Sequence, residues 1–470
     1  MTLIDYILVA LFFGIFIYIG LKKEVKLYTL KVFAINNREF STYALAFTVL
    51  ATWVSGSGFF IKLQKFYDKG FLYLIPSLGM ALSVGFVCLF VIPRAGKILG
   101  RLTVSSFMGL HYNQTVRTIT AILSVVGVCG GIAIQFKILG TVGHYMFPAI
   151  STFHCTILGG LVVGLYSYNG GIKYVVYTDI MQSFCFILAF IFIALTLLFS
   201  VDITFPTETL PKFNLIEAFK NISYEEKISA FFLFIYFMFP GISATEFQRI
   251  SMGANVFQLK KAWWCGAIGF ILLGLVVCWF AYVMHAYKPG LAKDDIFPEL
   301  LNLLSFPGMK AILCLGIISM CMSTADSHIN ITAVILVNDL ILKNSKDEFQ
   351  KIKLAKNLVL LVVVFSILIL EIKDDLLSII IFTNSFYMPI ISFALLGAIF
   401  DKKTSARCVI ISSSITLLVI VMIHLFSTSL DPFACGLALN LFLLLSTHYT
   451  IEKWELFKCF GWKSQLKNEK

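Results

Sequence analysis

The stretch ATWVSGSG, residues 51–58, interrupts an apolar run that begins at Tyr43 and ends near Ile61. The run is about as long as a membrane-spanning helix, roughly 20 residues. Glycine is a poor helix former, and serine adds polar atoms where lipid offers no partners. The sequence therefore predicts that the helix opens near the middle of its span. Gly56 and Gly58 are expected to let the backbone unwind there, freeing carbonyls and amides that are costly in hydrocarbon if left unpaired. An ion, a solute or a lined aqueous cavity must then satisfy them. The bland alternative is a close helix contact of the GxxxG kind.

A second stretch weighs against that alternative. The run ISAFFLFIYFMFPGISATEFQRI, residues 228–250, is interrupted by Pro240-Gly241. Four further apolar runs follow each interrupted one, so two blocks of five helices have opposite orientations in the membrane. Broken helices at matching positions of two inverted blocks point to a secondary transporter's binding site.

The rest of the chain agrees. Of its 470 residues 59% are hydrophobic and 13% charged, and the mean hydropathy is +0.89. A soluble domain averages about 25% charged residues. The composition excludes an ordinary soluble protein and predicts an all-α polytopic membrane protein. The net charge of +11 lies mostly in loops between apolar runs, which makes it a topological signal and not a nucleic-acid footprint. Eleven cysteines are scattered singly without a CxxC and read as small packing residues. Asp5 precedes Lys22-Lys23, so the first run reads as a retained span and not a cleaved signal.

Thirteen runs of spanning length are expected, at about 3–21, 43–61, 71–93, 115–147, 151–168, 176–200, 228–250, 263–287, 308–342, 354–371, 376–400, 405–427 and 431–450. Loops after the odd-numbered runs carry the larger share of Lys and Arg. The positive-inside rule then places the N-terminus outside and the C-terminus in the cytoplasm. The expected layout is an extra helix and loop (1–42), a first repeat (43–200), an extracellular loop (201–227), a second repeat (228–400) and two extra helices with a short basic tail (401–470). No segment between runs has the length of a soluble catalytic domain.

Three stretches carry a family resemblance: NNREFSTYALAFTVLATWVSGSGFF (36–60), YSYNGGIKYVVYTDIMQ (166–182) and MCMSTADSHI (320–329). FQRISMGAN (247–255) adds a Gln-Arg after the second break. In this order and spacing the chain resembles the sodium:solute symporter family, which includes sodium/proline and sodium/glucose cotransporters. The resemblance covers about Asn36 to Phe400. It implies a LeuT-type five-plus-five inverted repeat, a sodium gradient as driving force and a solute bound at the centre.

It also implies a sodium site. Ser323 and Thr324 lie near the midplane of the ninth run, and hydroxyl oxygens suit a hard cation. Hydroxyls that bond their own i−4 carbonyls explain the same pair without an ion. The resemblance makes Ser323 and Thr324 sodium ligands with the carbonyl of Met320, facing the carbonyls of Ala51 and Val54. Asp179, read as opening the sixth run, is placed by the resemblance on the inward path of the ion. Its bland explanation is a carboxylate at a helix N-terminus.

The remaining intramembrane charges are weighed singly. Asp326 needs a partner, and Asp326-Ser327-His328 is no catalytic triad, because adjacent residues on a helix point apart. No enzyme activity is expected. Lys137 and Glu246 either pair with each other, or Lys137 snorkels outward while Glu246 lies in the inner vestibule. Arg249 reads as a cytoplasmic-side anchor. The substrate candidates are Trp53, Ser55, Gly56 and Ser57, Gln135, and Tyr236, Phe239, Pro240 and Gly241. Ser243-Ala244 replaces the acid-amide pair of sugar-transporting relatives, which favours a proline-like amino acid or another small organic solute. The expected function is sodium-coupled import across a bacterial-type inner (plasma) membrane, with sodium ion, solute and lipid bilayer as partners. The alternatives are a transporter-fold sensor signalling to a partner kinase, or the same fold driven by protons through Asp179 or Asp326.

Overall fold

The computed structural model describes residues 1–21, 29–200, 220, 223–368, 370, 376–402, 404–426 and 430–465. Most of the expected outer loop 201–227 and the end of the basic tail lie outside the described residues. The described chain is helical almost throughout, and helix occupies all thirteen apolar runs in whole or in part. The first helices are α1 (Leu3–Leu21), α2 (Leu30–Ile35), α3 (Thr42–Trp53), α4 (Gly56–Lys69), α5 (Leu74–Phe86), α6 (Val104–His111), α7 (Gln114–Met146) and α8 (Thr152–Ser200). They are followed by α9 (Tyr224–Met238), α10 (Ala244–Ser251), α11 (Val256–Tyr287), α12 (Ile296–Leu303) and α13 (Met309–Ile335). The last are α14 (Glu348–Leu368), α15 (Leu376–Ser385), α16 (Met388–Ile399), α17 (Ala406–Leu425) and α18 (Pro432–Gln465).

Among the described residues seven helices are long and apolar enough to cross a membrane unaided, or eight if the bent pair α15–α16 counts as one span. The interrupted helices miss this mark because they are interrupted: α3 has 12 residues and α9 has 15. Large apolar side chains such as Leu272, Leu361 and Phe442 stand exposed on the helices' outer faces. Without lipid around them these faces would be untenable in water.

The helix at the centre is α13. Nearly every residue from Ala311 to Ile335 is buried, including Ser319, Ser323, Thr324, Asp326, Ser327, Asn330 and Thr332. A helix buried all round must give its polar side chains partners inside the protein. α7, α8 and α14 pack around α13, forming one group, while α11 packs against α3 and α4, and α9 against α5. The site lies between these groups.

Several sequence expectations change in detail. The first break falls at Val54 and Ser55, which are extended (φ −86° and −117°), whereas Gly56 and Gly58 are already helical in α4. Gly56 is needed for closeness instead of unwinding, since a Cβ there would overlap the Cys321 sulfur on α13. α8 turns at Gly171, whose φ of +54° suits glycine. Asp179 therefore sits about two turns beyond that bend instead of at a helix start. The expected run 376–400 is itself bent by 52° between α15 and α16, at Phe386 and Tyr387.

A break in two helices beside a buried hydroxyl pair

Hydrogen bonding explains the geometry of the first break. α3 stops at Trp53, and its last amide bond runs from Val54 N to the Leu50 carbonyl at 2.8 Å. The Ala51 carbonyl would need the amide of Ser55, but that residue is extended. α13 approaches at this point. Ser323 Oγ lies 3.1 Å from the Met320 carbonyl and 3.4 Å from that of Ala51, and Thr324 Oγ1 donates to the Met320 carbonyl at 3.0 Å. Four of the five residues named for sodium thus meet, two through carbonyls and two through hydroxyls. Val54 joins them only through a cavity that it lines with Met320. The hydroxyl bonds to Met320 are the i−3 and i−4 back-bonds of the bland reading, yet each oxygen keeps its lone pairs. The C-terminal end of α3 also points its partial negative charge at this spot, which favours a cation.

α4 starts on the other side of the break. Ser55 Oγ accepts from Gly58 N at 3.0 Å and caps the helix. Ser55 and Ser57 hydroxyls stand 3.1 Å apart, and Gln135 Nε2 on α7 donates to Ser57 Oγ at 2.9 Å. Gln135 Oε1 is buried without a partner, so an acceptor remains open to a bound molecule.

Two cavities flank these serines. The first, about 170 Å³, is lined by Trp53, Val54, Ser55, Ser57, Lys62 and Phe270 among others. The second, about 190 Å³, is lined by Thr52, Ser55, Ser57, Gln135, Thr324 and His328, together with Thr383, Asn384 and Tyr387 of the bent α15–α16 pair. The first is apolar and aromatic with one cation, and the second is rich in hydroxyls and amides. Of the substrate candidates, Trp53, Ser55, Ser57 and Gln135 line one or both. Gly56 touches Cys321 and Gln135 without lining either. Tyr236, Phe239, Pro240 and Gly241 line neither of these two cavities. Tyr236 accepts from Asn384 Nδ2 at 2.7 Å and packs its ring tilted against Phe433, and Phe239 packs on Phe393. These aromatics build the wall behind the site.

The second break is sealed by protein groups. Residues 239–243 are non-helical between α9 and α10. Ser243 and Glu246 cap α10 reciprocally, Tyr387 OH donates to the Ile242 carbonyl at 2.9 Å, and Ser83 Oγ to that of Phe239 at 3.3 Å. Glu246 also accepts from Trp53 Nε1 at 2.8 Å, which ties the two breaks together.

Beyond the hydroxyl pair lies a buried charge network. Arg249 is 1% exposed and pairs with Asp179 at 3.3 Å. Its reading as a cytoplasmic-side anchor did not foresee this buried pairing. Arg249 also donates to Ser327 Oγ and, at 3.2 Å, to Thr52 Oγ1, while Thr48 Oγ1 donates to Asp179. Asp326 accepts from Tyr166 OH at 3.0 Å, Thr178 Oγ1 at 3.2 Å and Ser327 Oγ at 3.3 Å. Both acids thus have partners, which a buried charge requires. Asp179 is fully buried beside Arg249.

Comparison with known proteins gives an uneven result. No family model matches the sequence, and no curated protein matches it. Solved structures do. A Na+-coupled sialic acid symporter in its substrate-bound outward-open state superimposes with a TM-score of 0.82 at 17% identity, over 96% of this chain and 98% of that one. Mhp1, a nucleobase-cation-symport-1 family transporter in a closed conformation with bromovinylhydantoin bound, gives a TM-score of 0.58 at 12% identity, over 89% of this chain and 94% of that one. The fold is therefore that of a LeuT-type transporter, with its five-plus-five inverted repeat. The chain is an integral membrane protein of that architecture.

Proposed function

We propose that this protein is a sodium-coupled symporter of the sodium:solute symporter family, importing a small organic solute by alternating access. The observation that carries the proposal is the meeting of Ser323, Thr324 and the Met320 carbonyl with the Ala51 carbonyl at the first break. Sodium there would accept lone pairs from two hydroxyls and from the Met320, Ala51 and Val54 carbonyls, oxygen ligands suited to a hard cation. The sodium coupling of the sialic acid symporter, the whole-chain neighbour at TM-score 0.82, supports the same reading.

In this proposal sodium bridges α3 and α13 and stiffens the Val54–Ser55 break. That orders Ser55, Ser57 and Gln135, which hold the solute between the two cavities. Arg249 and Asp179 form the inner seal beneath the ion, and their separation would open its way to the cytoplasm. Sodium raises solute affinity, and solute raises sodium affinity by the same factor. Asp179 and Asp326 already have protein partners, the first in Arg249 and the second in three hydroxyls, so the coupling ion is read at the first break and not at these acids. The proposed setting is a bacterial-type inner membrane with the N-terminus outside. The proposed repeats are 43–200 and 228–400.

The test is uptake into proteoliposomes of a labelled panel: proline, other amino acids, betaine, pantothenate and sugars. An inward sodium gradient is compared with an equal potassium gradient. Uptake of one solute with sodium only is the expected result. Uptake indifferent to sodium removes the ion assignment, and sodium-dependent binding without uptake favours a sensor.

A further inference from the structure

One cation in the first cavity has no part in the cycle above. Lys62 stands on α4 about two turns beyond Ser55, one residue past the apolar run expected from the sequence. Its Nζ lies 5.3 Å from the centroid of the Phe270 ring. It rests against α11 at Gly274, where a Cβ would come within 2.6 Å of Nζ. Any larger residue on α11 would displace the ammonium. Among the described residues Lys62 makes no hydrogen bond and no ion pair, its ring contact apart.

An ammonium in this setting is costly. It has three donors, and its cavity is lined mostly by aromatic and aliphatic side chains such as Trp53, Tyr73 and Phe270, with the Ser55 and Ser57 hydroxyls at the break. A lysine near a helix end can snorkel to the headgroups. Here the side chain turns instead against the face of α11 and lines the cavity. The ring of Phe270 supplies part of the missing counter-charge, but no hydrogen-bond acceptor. What the cavity lacks is a single anionic acceptor on a body small and apolar enough for about 170 Å³.

We propose that the solute is a monocarboxylate and that Lys62 receives its carboxylate in the first cavity. This rests on the symport reading and names the substrate class of that site. A single negative charge fits a single ammonium, whereas a phosphate dianion would bring a second charge into apolar walls. Lys62 stands roughly 9 Å along α4 from Gly56, six residues at 1.5 Å each, on the far side of the break from Ala51, so it binds the solute without displacing the ion. Sodium and the carboxylate then cross together with little net charge.

The test uses two probes of nearly equal shape, phenylacetate and phenylacetamide, on the purified full chain in lipid nanodiscs. Binding of labelled phenylacetate and its competition by the amide are measured in sodium and in potassium. The expected result is a preference for the acid of at least about tenfold, lost in Lys62→Met and kept in Lys62→Arg. The arginine variant also controls for folding. Equal affinity for both probes, binding of neither, or a preference that survives Lys62→Met would overturn the proposal. An acid preference equal in sodium and potassium keeps Lys62 and removes sodium coupling. Sodium-driven uptake of glucose, unchanged in Lys62→Met, keeps symport and overturns the anion assignment.

Discussion

The two broken helices arise from similar sequence signals and end in different chemistry. At Phe239–Ser243 the exposed backbone is answered by protein: Ser83, Tyr387 and a reciprocal cap between Ser243 and Glu246. At Val54–Ser55 the Ala51 carbonyl meets only a 3.4 Å contact from Ser323, whose hydroxyl lies closer to Met320. The first break is thus under-satisfied and the second is closed. A buried carbonyl held this loosely suits an ion that comes and goes. The glycines differ too. Gly56 lets α4 approach α13, while Gly241 faces the flexible side chain of Met388.

The same substitution at each glycine is the strongest way to break this comparison. In Gly56→Ala the new methyl overlaps a buried sulfur on a helix packed from all sides, and overpacking of that kind costs about 1–3 kcal/mol. Sodium-driven uptake should fall at least about tenfold, since 1.4 kcal/mol is a factor of ten. In Gly241→Ala the methyl comes within 2.8–2.9 Å of Met388 atoms, which can swing aside. Uptake there should stay within about threefold of wild type. Initial uptake rates at matched protein density check both, and equal losses would contradict the account.

A smaller effect sharpens the second break. Tyr387→Phe removes the donor to the Ile242 carbonyl and leaves a buried acceptor open. The expected cost is about 1–3 kcal/mol of stability, read as a lower thermal midpoint in detergent. The sodium concentration for half-maximal uptake should not move, because the proposed ion site is at the other break. A shifted sodium dependence would show that the two breaks act as one site.

Much of this was legible in the sequence because its causes are local. Composition pointed to the membrane class and the two interruptions to the broken helices, while the hydroxyl pair at 323–324 was singled out only by the family resemblance, its pattern alone being explained by bonds to i−4 carbonyls. What was not legible depends on contacts far apart in the chain. The bend at Gly171 and the pairing of Asp179 with Arg249 need α8 and α10 to meet. Tyr236 and Phe239 were placed in the site by their nearness to Pro240. Their rings instead turn toward Phe433 and Phe393, late in the chain. Lys62 was counted as loop because hydropathy ends at Ile61, although α4 continues to Lys69. Its one cue was a lysine immediately after an apolar run, a pattern shared with ordinary helix ends.

The most direct measurement is sodium-22 binding to the purified chain, for wild type, Ser323→Ala/Thr324→Ala and Tyr387→Phe. The account predicts saturable binding in wild type and Tyr387→Phe, and its loss in the double variant with the fold intact by circular dichroism. A folded double variant that binds sodium as wild type does would contradict it and move the ion away from the first break.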